Sequence, residues 1–514
     1  MSVAGALSLL AGLITACGGT KPAATATLKP THGGSITVDL VFSAFGLAPW
    51  TMIGSVTDGP IGDAIYDPLM QYGPSNQLEP WLATSLTTKD DQVWTMQLHQ
   101  GVKFQDGTPF NAAAVVFNID QQMNPANHSF TGLPVAENIA SVKATGPDTV
   151  VFNLKFPWSA FSGSFTGPFG YMASPTAVQK EGTSYNQHPV GTGPFDFVQW
   201  VPGDHVTVKK NPNYWVKGEP YLNQIVFKTD ANSQTRLSSV ETGEAQIDQT
   251  IDPTELGPAK AHGLSYSVAA NSGNSVEMNT QAAPFNNANM RLALRYATDL
   301  NALNKIVYNG LADPVWAAWI SPSSPYYDKS IKWPGYDPAK AKAKAKAMVT
   351  AYTAKNGPVD ITYSCYTDPA HLKEEQALQQ MWKAAGFNVT LNITDQNTLV
   401  INMLEGHFQI GCLALGSGLD PDSAYYSSLY SKSPSNFTHF NNPAMDAALT
   451  QGRESTSVAV REQAYNVVQQ LIASDMPAFQ TEREPWGWIW GPRIGGVVNL
   501  YDAGLAPGGI YLKS

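Results

Sequence analysis

Cysteine is scarce: three stand in 514 residues, at 17, 365 and 412. They are too few for a disulfide framework, and none belongs to a C-x-x-C pair of the kind that grips zinc. Cys365 and Cys412 are therefore expected as free buried residues packing as small hydrophobes, a bond between them requiring that the fold bring them together. Charge is also sparse, at 14% of residues, with 31 basic against 41 acidic side chains and a net charge of −10. No basic face is present for nucleic acid or an anionic membrane surface, which excludes both as the main partner. The alternating Lys342, Lys344 and Lys346 lie in an alanine-rich run and read as the solvated side of a helix. Catalytic spacings are missing as well. The nine histidines include no H-E-x-x-H. HLKEE at 371–375 lacks the second histidine of H-x-x-E-H, and its carboxylates read as a helix face. No G-x-S-x-G elbow occurs, and Asp420-Pro421-Asp422 lacks the ligand series and turn glycine of a calcium loop. Neither catalysis nor a bound cofactor or metal is expected.

Length and composition supply the other bounds. A chain of 514 residues exceeds one ordinary core, so two or three domains are expected. A 43% hydrophobic fraction with 36 Pro and 43 Gly suggests a loop-rich α/β protein, because 13 Trp, 21 Tyr and 20 Phe can build cores. Residues 1–17, MSVAGALSLLAGLITAC, form an apolar run shorter than the ~20 residues of a spanning helix and end on small residues before a cysteine. This reads as a signal segment. Ile14-Thr15-Ala16-Cys17 resembles a bacterial lipobox, in which Cys17 would be diacylated and become the new N-terminus, although no Lys or Arg precedes the apolar run. Residues 18–33 then serve as a flexible tether.

The most informative stretch is 94–118, WTMQLHQGVKFQDGTPFNAAAVVFN. Alternation over 93–98 predicts a half-buried strand, Gly101 and Asp106-Gly107-Thr108-Pro109 predict turns, and Asn111 offers an N-cap to a helix with Val115, Val116 and Ile119 inward. The same words resemble the signature W-T-F-x-L-R-x-G-V-x-F-H-D-G-x-P-F-x-A-x-D-V-V-F-S of extracytoplasmic solute-binding proteins of the peptide/nickel class, family 5, which feed ABC importers. Further segments resemble that family: IYDPLMQY at 65–72, LEPWLATSL at 78–86, VGTGPFDFVQW at 190–200 with NPNYW at 211–215, TGEAQID at 242–248 and YDPAK at 336–340. Asp67 and Trp81 are read as structural. Gly191 and Gly193 belong to a turn, since the Gly-Lys-Ser/Thr end of a phosphate loop is missing.

The resemblance implies an α/β, two-lobed fold of the periplasmic-binding-protein type (type II, cluster C). Lobe I would comprise 34–64, 190–272 and 481–514, with an extra subdomain at 65–189, and lobe II would comprise 273–480. The chain would cross between lobes at the Ser/Gly/Asn-rich stretch 269–279, suited to a hinge, and again at 477–485. In lobe II, strand, helix and strand signals near 359–363, 373–384 and 389–393 predict a βαβ unit. The apolar run 408–415 delivers a loop, 416–422, at the C-terminal end of a strand, where open α/β sheets bind ligands.

Site residues follow from the same resemblance. Peptide-binding members read G-D-x-x-D-P-D in this loop, the first aspartate neutralising the peptide ammonium. Here Gly416-Ser417 replaces Gly-Asp, while Asp420 and Asp422 match. A serine hydroxyl supplies no counter-charge, which sets the amine clamp in question. Lys373 stands about where dipeptide binders place an arginine for the peptide carboxylate, and a solvated helix position is the slightly better reading of it. Trp50, in a first loop that lines the family's cleft, is open to packing and to ligand contact alike. Trp486, Trp488 and Trp490 alternate on one strand face, and Trp486 is the one expected to touch ligand. The implied function is capture of a solute, foremost an oligopeptide, and its delivery to the transmembrane subunits of an ABC permease. A sugar, opine or chelated metal is the alternative ligand, and a surface signalling or adhesion lipoprotein the alternative role. The protein is expected to be an extracytoplasmic monomer attached to the membrane only through lipidated Cys17. Replacing Cys17 by Ser should therefore shift the protein from the membrane to the soluble fraction; retention as tight as wild type would place the anchor elsewhere.

Overall fold

A computed structural model describes residues 29–514 apart from 55, 74–76, 130, 316–318, 321–323, 325, 336, 367–368, 417–419 and 501–503. Cys17, and with it the signal and lipidation reading, lies outside the described residues.

One mixed sheet of 12 strands runs through both lobes. At the lobe I end Ser35–Leu40 pairs in parallel with Gln224–Thr229 and with Ile247–Thr250, and the antiparallel strands His205–Lys210 and Phe195–Val201 complete that edge. At the lobe II end Asp360–Tyr366 pairs in parallel with Asn388–Thr394 and Ile410–Gly416. The helix Pro369–Ala385 connects the first two, as a crossover between parallel strands must. The two ends have separate cores, one around Val38, Tyr66, Phe227 and Trp488, the other around Leu294, Tyr363, Trp382 and Ile410. Within the second, Cys365 and Cys412 come from adjacent strands with Cα atoms 5.2 Å apart and are joined as a disulfide. The expectation of free thiols is corrected here: register places two residues 47 positions apart side by side, which spacing along the chain does not reveal.

The stretch 269–279, expected only as a Ser/Gly/Asn-rich crossing, forms most of a 14-residue strand, Ser265–Met278. It pairs antiparallel with Glu482–Trp490 through its first half, and with Ala478–Gln480 and Ile410–Gly416 through its second. A register irregularity between Ala270 and Ser272 is where the pairing breaks step. Gly273 is required by close approach, because a Cβ there would collide with the carbonyl oxygen of Glu482. Small residues thus permit tight pairing rather than looseness.

The extra subdomain has its own sheet, in the order Ala83–Thr88, Val93–Leu98, Thr149–Leu154, Ile139–Ala144, covered by the helix Ala112–Met123. Asn111 caps that helix, its side chain accepting from the Ala114 N–H, as the pattern predicts. Gly101 and Gly107 take positive φ in the turns between. The signature also joins subdomain to lobe I. Gln105 donates from Nε2 to the carbonyls of Ile65, Gly193 and Phe195, and its Oε1 accepts the Gly191 N–H. Gly191 and Gly193 lie so near the Ile65 backbone that neither has room for a Cβ. The buried Asp67 carboxylate draws three resembling segments together, accepting from Trp81 Nε1 at 2.7 Å, Trp215 Nε1 at 2.9 Å and Tyr214 Oη at 2.9 Å. Both Asp67 and Trp81 are structural in this arrangement, as expected.

Glu277, in the crossing strand, is fully buried, and burial raises its carboxyl from the ordinary 4.5 to about 7 despite the hydrogen bond donated by Ser275 Oγ. Between those values the folded chain keeps a proton that the unfolded chain has released. The unfolded state then binds fewer protons, and stability falls as pH rises through the window. Urea unfolding of wild type and Glu277→Gln should show wild type losing up to roughly 3 kcal/mol relative to the variant between pH 4.5 and 7. A pH-independent difference would contradict the assignment.

Candidate binding cleft

The extra subdomain faces lobe II across a cleft containing a cavity of about 690 Å³. Trp158, Ser162 and Tyr72 line it on one side, Asp420, Ser428 and Arg453 on the other. Its polar lining is mostly hydroxyl. Ser159 Oγ, on the same wall, is buried with no hydrogen-bond partner among the described residues, a group ready for a ligand or solvent atom.

The two aspartates of the loop motif both reach this wall. Asp420 caps the helix Pro421–Leu429, accepting the Asp422 N–H at 2.9 Å, as an Asp-Pro start favours. Both its oxygens also accept from Arg461 Nη2, at 2.6 and 2.8 Å. Burial disfavours the Arg461 charge, but the Asp420 carboxylate outweighs burial and holds the guanidinium above its ordinary pKa. Burial, with Asp420 nearby, pushes the Tyr72 hydroxyl up to about 12. Asp422 is only 1% exposed. It accepts from Arg453 Nε at 2.8 Å and Nη2 at 3.1 Å, and from Trp158 Nε1 at 2.7 Å. The structure thus gives each aspartate an arginine partner from within the chain.

The other expected site residues scatter. Trp50 is 8% exposed and stacks on Tyr185 at 5.6 Å within the lobe I core. Its loop is pinned by Asp58, which accepts the Phe45 and Ile53 N–H groups, and by Asn186, which accepts those of Leu47 and Ala48. Trp486 is 2% exposed and packs with Val41 and Ile251, just past the C-terminal ends of Ser35–Leu40 and Ile247–Thr250. Trp488 goes to the lobe I core, with Trp490 partly buried against it. Lys373 is exposed on its helix. Ser417 lies outside the described residues. Glu374 and Glu375 are fully buried, not the exposed helix face expected, and Glu374 accepts from Tyr308 Oη at 2.9 Å. Arg453, Arg461 and Trp158 carry most of the geometry around the two aspartates and had no sequence signal beyond their type.

Comparison with known proteins follows the same lines. A sequence profile of bacterial extracellular solute-binding proteins, family 5, matches residues 77–437. The chain belongs to this family. Among curated family 5 relatives, the glutathione-binding protein GsiB of Shigella flexneri is 31% identical over 432 residues, covering 81% of this chain and 83% of its own. GsiB of Escherichia coli strain K12 gives the same figures. The fold matches the periplasmic binding protein DppA of Helicobacter pylori, solved with the peptide STSA, at a TM-score of 0.84 and 22% identity, covering 94% of this chain and 99% of that one. These are two-lobed family 5 folds, and the chain shares their architecture. As a family 5 member it is a solute-binding protein of the ABC importer type. No helix among the described residues is long and apolar enough to cross a membrane.

If the aspartates serve the wall rather than the ligand, removing them should cost stability. Asp420→Ala, at a partly exposed pair, is expected to lower unfolding free energy by about 1.5–3 kcal/mol. Asp422→Ala, which strands a buried guanidinium, should cost more, about 3–5 kcal/mol. Denaturant unfolding checks both size and order.

Proposed function

We propose that the protein captures a peptide-like solute between its lobes and delivers it to the permease of an ABC importer. One observation carries this: the chain is 31% identical, over 81% of its length, to a protein whose ligand, glutathione, is itself peptide-like. A two-lobed fold with a roomy, hydroxyl-lined cavity suits such a ligand, since a backbone is held by hydrogen bonds while solvent-filled space tolerates varied side chains. In this reading the protein is tethered to the outer face of the membrane through Cys17 and acts as a monomer, with Ser417 at the ligand, while Trp486 and Lys373 lie outside the lining of the cavity.

A second reading, a non-peptide solute such as an opine, is favoured by the fold match to AgaA of A. tumefaciens R10, solved with agropinic acid. Its TM-score is also 0.84, at 21% identity and with 94% of this chain and 99% of that one covered.

Calorimetry with matched peptides separates the two. Ser417 stands where peptide binders of the family carry their ammonium-binding aspartate, and Asp420 and Asp422 are engaged by arginines. A hydroxyl contributes ~0.5–1.5 kcal/mol where a charged acceptor gives ~1.5–3. N-acetylated and free forms of one tripeptide should therefore bind within about tenfold of each other, tenfold being ~1.4 kcal/mol. A loss of a hundredfold or more on acetylation would reveal a counter-charge in the cleft. No binding by either form, nor by glutathione, would favour the non-peptide reading.

A further inference from the structure

We propose that Trp158, Asp422 and Arg453 form a latch between the lobes, with Trp158 as the positioning residue that holds the binding cleft closed by protein contacts alone. The proposal rests on the two-lobed binding reading, but its test needs no ligand.

The geometry is specific. Trp158 belongs to the extra subdomain, where its backbone N–H donates to the Asp91 carbonyl at 2.7 Å and its ring packs on Phe161. Its indole N–H reaches across 264 positions of sequence to the Asp422 carboxylate in lobe II. Arg453, from the helix Pro443–Glu454, forks onto the same carboxylate and lies over two rings. Its guanidinium carbon is 3.2 Å from the Tyr426 ring centre and 4.6 Å from that of Trp158. One cation thus meets an aromatic face from each side of the cleft while its carboxylate partner accepts a hydrogen bond from one of those rings. Trp158, Asp422 and Arg453 are all buried.

Two features assign these contacts to closure rather than to the folding of either part. Asp422, Arg453 and Tyr426 satisfy one another inside lobe II, so Trp158 can leave without stranding a charge. The indole keeps its packing in the subdomain core when the lobes part. What separation removes is the N–H to carboxylate bond and half of the stacking on Arg453. Both are charge-assisted contacts at a buried site, where they outweigh exposed equivalents. Asp91, beside Trp158, also senses the Arg461 charge from across the cleft, burial being the larger influence on its carboxyl. The attraction between the two faces therefore extends past the latch itself.

The test reads the open and closed populations directly. Nitroxides at the exposed Lys89 and Lys432, one on each side, report inter-lobe distance by double electron–electron resonance on the ligand-free protein carrying Cys17→Ser. The short distance should dominate in the otherwise wild-type chain. Trp158→Phe, which keeps a ring and deletes the N–H, should raise the open-to-closed ratio by about tenfold. Trp158→Ala, which deletes both, should raise it further, and Arg453→Lys, losing the fork and the guanidinium over the rings, should follow. Thermal unfolding of Trp158→Phe should stay close to wild type, since Asp422 keeps Arg453. Identical distance distributions in wild type, Trp158→Phe and Trp158→Ala overturn the latch, as does a wild type already dominated by the long distance. Either result leaves the peptide calorimetry untouched, and a failure of that calorimetry leaves the latch standing.

Discussion

Everything in this molecule hangs on two antiparallel strands shared by both lobes. Ser265–Met278 and Glu482–Trp490 are hydrogen-bonded to each other, and the first also pairs with Ile410–Gly416 while the second also pairs with Ile247–Thr250, so the lobes are continuous through backbone bonds. Polar groups cluster where the ribbon passes between cores. The Asn274 N–H donates to the Glu482 carboxylate and the Thr481 N–H to the Asn274 carbonyl, both buried. A ladder of this kind resists sliding, because slippage by one residue would turn every side chain to the wrong face. Relative motion of the lobes is left with bending and twisting of the ribbon, for which the irregularity at Ala270 and Ser272 is the natural place.

With motion so confined, the faces that meet are decided by what is attached to lobe I. The extra subdomain is fixed there by Gln105, whose side chain bonds four backbone groups, and by Asp67, whose carboxylate gathers two indoles and a phenol. This explains why the densest family resemblance falls in a stretch with no ligand-like chemistry. Its residues make turns, a cap and a joint, and each of those tolerates few alternatives. The subdomain held by this joint presents Trp158 to lobe II.

The electrostatics of the opposite wall follow from pairing. Two aspartates beside a cleft invite a reading as ligand counter-charges, yet Arg453 and Arg461 neutralise them before a solute arrives. Buried acids without such partners behave differently. Burial raises Asp58, Asp63 and Glu277 to about 7, although each accepts hydrogen bonds that favour its ionised form, so burial is the larger influence.

How much of this was legible beforehand divides along sequence distance. Local patterns determined the strand at Val93–Leu98, the Asn111 cap, the βαβ order of lobe II and the family itself, since each depends on hydrogen bonds or periodicities spanning a few residues. Only the tertiary structure decided the rest. It turned a Ser/Gly/Asn-rich stretch into the central ribbon, because pairing partners on both sides outweigh weak strand propensity. It joined Cys365 to Cys412, buried Glu374 and Glu375, and put Trp50 into a core. The partners of Asp422 lie 31 and 264 residues away, and no periodicity connects them. Composition and spacing specify what a segment can form, whereas the identity of a neighbour across a sheet or a cleft is set by register and docking of the whole chain.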